Sequence, residues 1–328
     1  MRSPILINGY GVFIGLDHLH LIIKNKDVAL SQRIPLSSIS HLLLQGNAIT
    51  LSTAVLAECS KRGIAISLLN NRGYPILILH HPKVTRLLTN LARLAESPQG
   101  IRLIRTFLTK KVQNQKAIIH YHCRSLRLEK VIQKRLSETV NTLSTLKALE
   151  EVEANNTTVS ACRESFFLVE ARTSRAYWHA YAKLIPTSLG FKGRVGRGAK
   201  DGVNQLLNYS YALLAGHVLA QMLKAEIDPT QALLHHRKNS VFPLLYDFME
   251  PFRPLADHIV LAFIHRQNKP LQNNTGQLRQ AVLLRFKKAW YEASQQPQPW
   301  SKQKATLDQL VDTYLHRWLR TVATLPKD

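Results

Sequence analysis

Three acids and a pair of histidines stand out for the chemistry they could do together. Glu170 sits in the run Phe166-Phe167-Leu168-Val169-Glu170-Ala171-Arg172-Thr173-Ser174-Arg175-Ala176-Tyr177-Trp178. Read as a helix, this run puts Phe166, Val169 and Glu170, Ser174 and Tyr177 on one side, so Glu170 points partly inward. An inward carboxylate needs a partner, because burying it unpaired is costly. An ordinary ion pair with Arg172 or Arg175 would supply one. The other acids follow His235-His236-Arg237-Lys238, in Asp247-Phe248-Met249-Glu250-Pro251-Phe252-Arg253-Pro254. Asp247 and Glu250, three apart, fit a helix capping box, which leaves the two upstream imidazoles unexplained. The alternative is a hard divalent cation held by carboxylate oxygens and one imidazole, an arrangement suited to phosphoryl chemistry on DNA. Around these acids the basic residues Arg175, Arg194, Arg197, Lys200, Arg237, Lys238 and Arg253 would bring the phosphates to them.

The overall charge points the same way. The 328 residues carry 44 Lys and Arg against 21 Asp and Glu, a net charge of +23. A chain this basic with a normal apolar content expects a polyanion, and nucleic acid is the best candidate. The excess is uneven, at +4 over residues 1–82 and +19 over residues 83–328, so the polyanion surface is expected on the second part. Cys59, Cys123 and Cys162 are too few and too scattered for a disulfide framework and fit reduced, buried thiols of a cytoplasmic protein. No apolar run approaches the ~18 residues of a bilayer span, and no membrane partner is expected.

The elements that must position these residues change character near residue 82. Before it, short apolar runs read as strands: Ile5–Ile7, Val12–Ile14, Leu19–Ile23, His41–Leu44, Ile64–Leu68 and Pro75–Leu79, separated by Asn and Gly turn signals. One helix interrupts them, from about Ser52 to Lys61, capped by Ser52 or Thr53 and ended by Arg62-Gly63. From about Pro98 the period is helical, with Ile101, Ile104, Leu108, Val112 and Gln115 on one face. Helical pattern continues over 161–183, 203–224, 256–266, 277–293 and 306–324, with an acidic connector at 150–158 and a linker at 294–299. The expected fold is α+β: a β-rich domain at 1–82, a linker at 83–98 and a helical domain at 99–328. His120-Tyr121-His122-Cys123 is set aside as a zinc motif because two His at i, i+2 diverge on a helix. Gly193-Arg194-Val195-Gly196-Arg197-Gly198-Ala199-Lys200 lacks the Gly-Lys-Ser/Thr of a phosphate loop.

Four segments together resemble one family, the CRISPR-associated spacer-acquisition integrases. They are Leu168-x-Glu170 with Arg175-x-Tyr177-Trp178; Lys200-Asp201-x-Val203-Asn204-x-x-Leu207-Asn208-Tyr209-x-Tyr211; Leu234-His235 with Asp247 to Pro254; and Ser37-Ser38-Ile39 through Gly46-Asn47-x-x-Thr50, Arg62-Gly63-Ile64 and Asn70-x-x-Gly73. They occur in order across nearly the whole chain. The resemblance implies an N-terminal β-domain that forms a homodimer and a helical domain that carries the active site. It implies a metal-dependent endonuclease and integrase that inserts short DNA fragments into a CRISPR array, assisted by a small ferredoxin-like partner subunit. The family's Mg2+ or Mn2+ ligands fall on Glu170, His235 and Glu250, with Asp247 matching a nearby acid and His236 the alternative imidazole. Tyr177, Asn204 and Tyr211 would support the site or the DNA end. The stretch between His235 and Asp247 departs from the family in reading Arg237-Lys238-Asn239-Ser240 where glycines are common. Two rival functions share these features: a non-catalytic DNA-binding subunit, and a transposon-borne integrase of the same family.

Overall fold

The computed structural model describes residues 3–25, 28–46, 48–70, 73, 75–79, 93–139, 142–196, 198–225, 227–235, 241–267, 270–298 and 304–323. Its first part holds two four-stranded sheets, and the described remainder is mostly helical. In one sheet β1 (Ser3–Asn8), β5 (Ile39–Gln45), β7 (Ala65–Leu69) and β8 (Pro75–Leu79) lie in that order, the first three parallel and β8 antiparallel. The other runs β4 (Val28–Pro35), β3 (His20–Asn25), β2 (Val12–Asp17), β6 (Ile49–Leu51). Helix α1 (Thr53–Lys61) starts at Ser52, whose hydroxyl accepts from the Val55 amide at 3.4 Å. It ends at Gly63, whose φ of +65° only glycine adopts cheaply.

The continuous apolar run of β5 follows from burial on both faces. Leu42 and Leu44 join Ile14, Leu21, Val55 and Ile66 in a core inside the strand-rich part. Leu43 faces the other way and touches the helical part, where the site of a Cβ on Gly216 lies 2.6 Å from its Cδ1. The strands at 28–35 and 49–51 were absent from the sequence reading. Val28-Ala29-Leu30-Ser31-Gln32-Arg33-Ile34 mixes polar and apolar positions, and Ile49-Thr50-Leu51 is too short to show a period.

The helices are α2 (Pro98–Ser125), α3 (Lys130–Thr139), α4 (Thr142–Ala154), α5 (Val159–Ala182), α6 (Gly202–Lys224), α7 (Pro243–Met249), α8 (Arg253–Ile264), α9 (Gln280–Ser294) and α10 (Leu307–Ala323). Pro98 occupies the first turn of α2, where its missing N–H costs nothing, and Ser97 caps it. Helix α6 is apolar nearly all round, from Val203 to Leu223, and is accordingly the buried central helix. Helices α7, α8 and α10 pack around it. The acidic connector expected at 150–158 is instead largely helical. Residues through Ala154 belong to α4, because Glu150 and Glu153 pair with Arg105, and Glu153 with Arg102, across the α2 face. The connecting loop shrinks to Asn155–Thr158, with Thr158 capping α5. Residues 83–92 of the expected linker lie outside the described residues. Among the described residues no helix is long and apolar enough to cross a membrane. The three cysteines are free and buried.

Candidate active site

Helix α5 brings Glu170 to face α2, and the turn after α7 brings Glu250 to the same place. A 3-10 turn, Glu250–Phe252, separates α7 from α8, because Pro251 and Pro254 interrupt the helical hydrogen-bond ladder. Between the two carboxylates stands Lys111 of α2. Its Nζ lies 2.5 Å from Glu170 Oε1 and 2.6 Å from Glu250 Oε2. The side chains of Lys111 and Glu250 are 7% and 3% exposed, and that of Glu170 is 22% exposed. Arg253 Nε adds a second cation to Glu250, 2.9 Å from Oε1. Burial alone would raise the Glu250 carboxyl, but Arg253, Lys111 and His235 outweigh it and hold the group at about 2. Burial would likewise lower the Lys111 ammonium; Glu170 and Glu250 reverse this and raise it. Two carboxylates and two cations therefore form a charge-balanced, largely buried quartet.

His235 is fixed next to this quartet by Asp247, a carboxylate 1% exposed. Asp247 accepts from the Leu234 amide at 3.0 Å and the His235 amide at 3.1 Å, and its Oδ1 lies 2.6 Å from His235 Nδ1. The capping-box reading of Asp247 and Glu250 is thus replaced. Glu250 stands at the C-terminal end of α7, and Asp247 clamps the backbone of a different segment. Because Asp247 engages Nδ1, Nε2 is the ring nitrogen left for a ligand. Burial would lower the His235 pKa, and the Asp247 charge and hydrogen bond, with Glu250 behind them, raise it. Phe167 and Tyr246 flank the imidazole, with ring centroids at 5.7 and 6.1 Å. Arg163 of α5 holds the same segment from outside by donating to the Leu234 and Leu233 carbonyls at 2.9 and 3.1 Å.

The residues expected to support the site form a second buried centre. Tyr177 and Tyr211 donate their hydroxyls to Asp257 of α8 at 3.0 and 2.7 Å, and Tyr181 donates to its backbone carbonyl at 2.9 Å. Burial raises Asp257 to about 6, against the opposing pull of the Tyr211 and Tyr177 hydroxyls. The ring of Tyr211 lies under both Arg253 and Arg194, at 5.3 and 5.1 Å. Asn204 organises the loop before α6: it donates to the Gly193 carbonyl and to Asp201 and accepts from Arg194 and the Val195 amide. It acts on loop shape, and Arg194, bonded also to Asn208 at 2.7 Å, does the same.

Several expectations are therefore adjusted. The partner of Glu170 is Lys111; Arg172 and Arg175 are exposed. Arg253 and Arg194 are engaged inside the protein, while Arg175 and Lys200 are exposed. Arg197, Arg237, Lys238 and the alternative ligand His236 lie outside the described residues. Lys111 and Asp257 were missed. Lys111 falls on the apolar face traced by Leu108, Val112 and Gln115, and Asp257 interrupts the apolar run 255–264; a charge in such a place is the signal that would have found each. His122 and His120 diverge as expected: His120 is exposed, and His122 is buried against His258.

The resemblance read from the sequence implies a divalent cation at Glu170, His235 and Glu250. Among the described residues no three His, Cys, Asp or Glu side chains stand close enough to hold one as they are. The donor chemistry nevertheless fits. Two carboxylates already converge on a single cationic centre, and an oriented imidazole stands beside them.

Comparison with known proteins supplies relatives in sequence and in fold. The chain is 28% identical over 278 residues to a CRISPR-associated endonuclease Cas1 of Archaeoglobus fulgidus, covering 81% of this chain and 79% of that one. It is 25% identical over 264 residues to one of Francisella tularensis subsp. novicida, covering 78% and 77%. Among solved structures, a casposase bound to an integration product aligns with a TM-score of 0.80 at 19% identity over 100% of this chain and 92% of that one. A CAS1 protein from Thermotoga maritima aligns with a TM-score of 0.77 at 17% identity over the full length of both. The Cas6-RT-Cas1–Cas2 complex aligns at 0.76 and 19% identity over 98% of this chain and 35% of that one. Residues 5–291 match the family model described as CRISPR associated protein Cas1, and the chain belongs to that family.

Proposed function

We propose that this chain is a DNA endonuclease and integrase that inserts short DNA fragments into a CRISPR array, using Mg2+ or Mn2+ held by Glu170, His235 and Glu250. The observation that carries the reading is the meeting of Glu170 and Glu250 on one cationic centre, with His235 oriented beside them by Asp247. A bound divalent ion supplies charge stabilisation at the transferring phosphoryl group and an activated attacking oxygen. The chain's own residues do the rest. Asp247 sets the His235 tautomer, Arg253 keeps Glu250 ionised, and the Tyr177–Asp257–Tyr211 centre buttresses the ring under Arg253. Positioning the two DNA ends contributes much of the rate, since phosphoryl transfer asks little covalent chemistry of the protein.

The finer organisation belongs to the same proposal. Residues 1–82 form the homodimer contact, 83–98 connect, and 99–328 carry catalysis and bind double-stranded DNA through Arg175, Arg197, Lys200, Arg237 and Lys238. The likeness to a chain of the Cas6-RT-Cas1–Cas2 complex supports a partner subunit here as well, which we take to be the small ferredoxin-like one. Strand transfer of a 3′-OH oligonucleotide into supercoiled DNA with Mn2+ tests the reading: Glu170→Ala is expected to abolish transfer, and undiminished transfer rejects the site. The casposase likeness favours a second reading, an integrase that inserts the ends of its own element. It expects strong preference for one fixed end sequence, whereas the first expects tolerance of varied fragments.

A further inference from the structure

The place between Glu170 and Glu250 is filled by part of the protein itself. Lys111 Nζ touches a carboxylate oxygen of each residue at 2.5 and 2.6 Å, which is ammonium contact distance. Oxygen ligands approach Mg2+ at about 2.0–2.1 Å. An ion bridging the same two oxygens would therefore lie in the volume that the ammonium fills. Charge leads to the same conclusion. The quartet of Glu170, Glu250, Lys111 and Arg253 is neutral, so adding a divalent ion without moving a cation would leave two uncompensated charges in a largely buried site. Arg253 cannot readily leave, because its guanidinium also lies over the Tyr211 ring. Lys111 can: it is held at the tip of a flexible four-carbon stem rooted in α2.

We propose that Lys111 is an internal counter-cation that holds Glu170 and Glu250 together before metal loading and is displaced when the metal binds. The inference rests on the metal reading above. Metal loading is then an exchange of one cation for another, so the ammonium sets a threshold for metal affinity while preventing the two carboxylates from repelling each other apart.

Two measurements test it on the full chain. In the first, lysines of the wild-type protein are reductively methylated with and without Mn2+, and modification is located by peptide mass spectrometry. Lys111 is expected to be protected in EDTA and to become reactive at saturating Mn2+; unchanged or lower reactivity in Mn2+ overturns the inference. In the second, Mn2+ affinity and melting temperature are compared for wild type and Lys111→Met. The variant is expected to melt lower in EDTA, to recover more on adding Mn2+, and to bind Mn2+ about tenfold tighter once the competing charge is gone. Equal or weaker Mn2+ binding by the variant overturns the inference and makes Lys111 an ordinary positioning residue. Should Lys111→Met fail to fold even with Mn2+, the methylation result on wild type decides alone. Failure of wild type and variant alike to bind Mn2+ rejects the metal reading itself, a result distinct from binding that leaves Lys111 unmoved.

Discussion

Replacing Asp247 by Asn separates the charge of this residue from its size. The carboxylate, 1% exposed, receives the Leu234 amide, the His235 amide and contact from His235 Nδ1 at 3.0, 3.1 and 2.6 Å. An Asn in the same rotamer keeps one acceptor oxygen and turns an NH2 toward a donor. With the oxygen placed at the His235 side, the Leu234 N–H is left facing another N–H. A buried donor left unpaired costs about 1–3 kcal/mol, and loss of charge assistance to the remaining bonds brings the total to roughly 2–4 kcal/mol. The imidazole changes as well. Burial lowers the His235 pKa and the Asp247 charge raises it, so removing the charge lets burial prevail and the ring should titrate lower. Guanidinium unfolding measures the first effect and NMR titration of the His235 ring the second. Strand transfer should fall on the order of 10–100-fold, the usual scale for loss of an imidazole's orienting partner. Stability within about 0.5 kcal/mol of wild type, with an unmoved His235 titration, would refute the assignment of Asp247 as the clamp.

Other perturbations test the fold and its charges. His122 Nε2 and His258 Nδ1 lie 2.9 Å apart, and burial lowers their pKa values to about 4 and about 3. Both protonate more readily unfolded, so their stabilising share is intact above pH 6.5 and lost as pH falls, by roughly 2 kcal/mol per His at pH 5. Asp257, raised to about 6, works oppositely: the folded state takes up its proton first, which adds stability as pH falls below 6. Urea unfolding at pH 7 and pH 5 should therefore show a smaller loss for His258→Leu than for wild type, and equal losses contradict the pairing. Gly73 has φ of +84°, and a Cβ there would meet Ala212 Cβ at 2.3 Å. Gly73→Ala should cost about 2–3 kcal/mol by strain and by forcing the strand-rich part off α6; an unchanged melting temperature would show that this contact does not hold the two parts together. Arg194→Ala removes the bonds to Asn204 and Asn208 and the stacking over Tyr211. Trypsin should then cut faster after Lys200 in limited proteolysis, and an unchanged rate would count against Arg194 as the loop's anchor.

The division into strands and helices was legible because period and composition change together near residue 82. Helix ends were legible where caps marked them, as at Ser52 and Gly63. The strand at 28–35 was hidden because Ser31, Gln32 and Arg33 interrupt its apolar positions and leave no clean period. Of the site, Glu170 could be read as an inward acid from the side of its helix shared with Phe166, Val169 and Tyr177, and Glu250 from its place in the Asp247–Pro254 segment that carries the family resemblance. The ammonium between them could not, since Lys111 lies 59 residues from Glu170 and 139 from Glu250, and only the packing of α2 against α5 and the 250–252 turn brings them together. The same holds for Asp257, whose meaning depends on tyrosines from two other helices. Nor could the sequence show that Arg194 and Arg253 make contacts inside the fold, to Asn208 and to Glu250.

The central claim is that Glu170 and Glu250 share one cation with His235 alongside. Anomalous diffraction from crystals grown in Mn2+ addresses it directly. A single strong anomalous peak between the two carboxylates and within bonding distance of the His235 ring is the result this account requires. Manganese bound elsewhere, or no peak at a concentration that supports strand transfer, would contradict it.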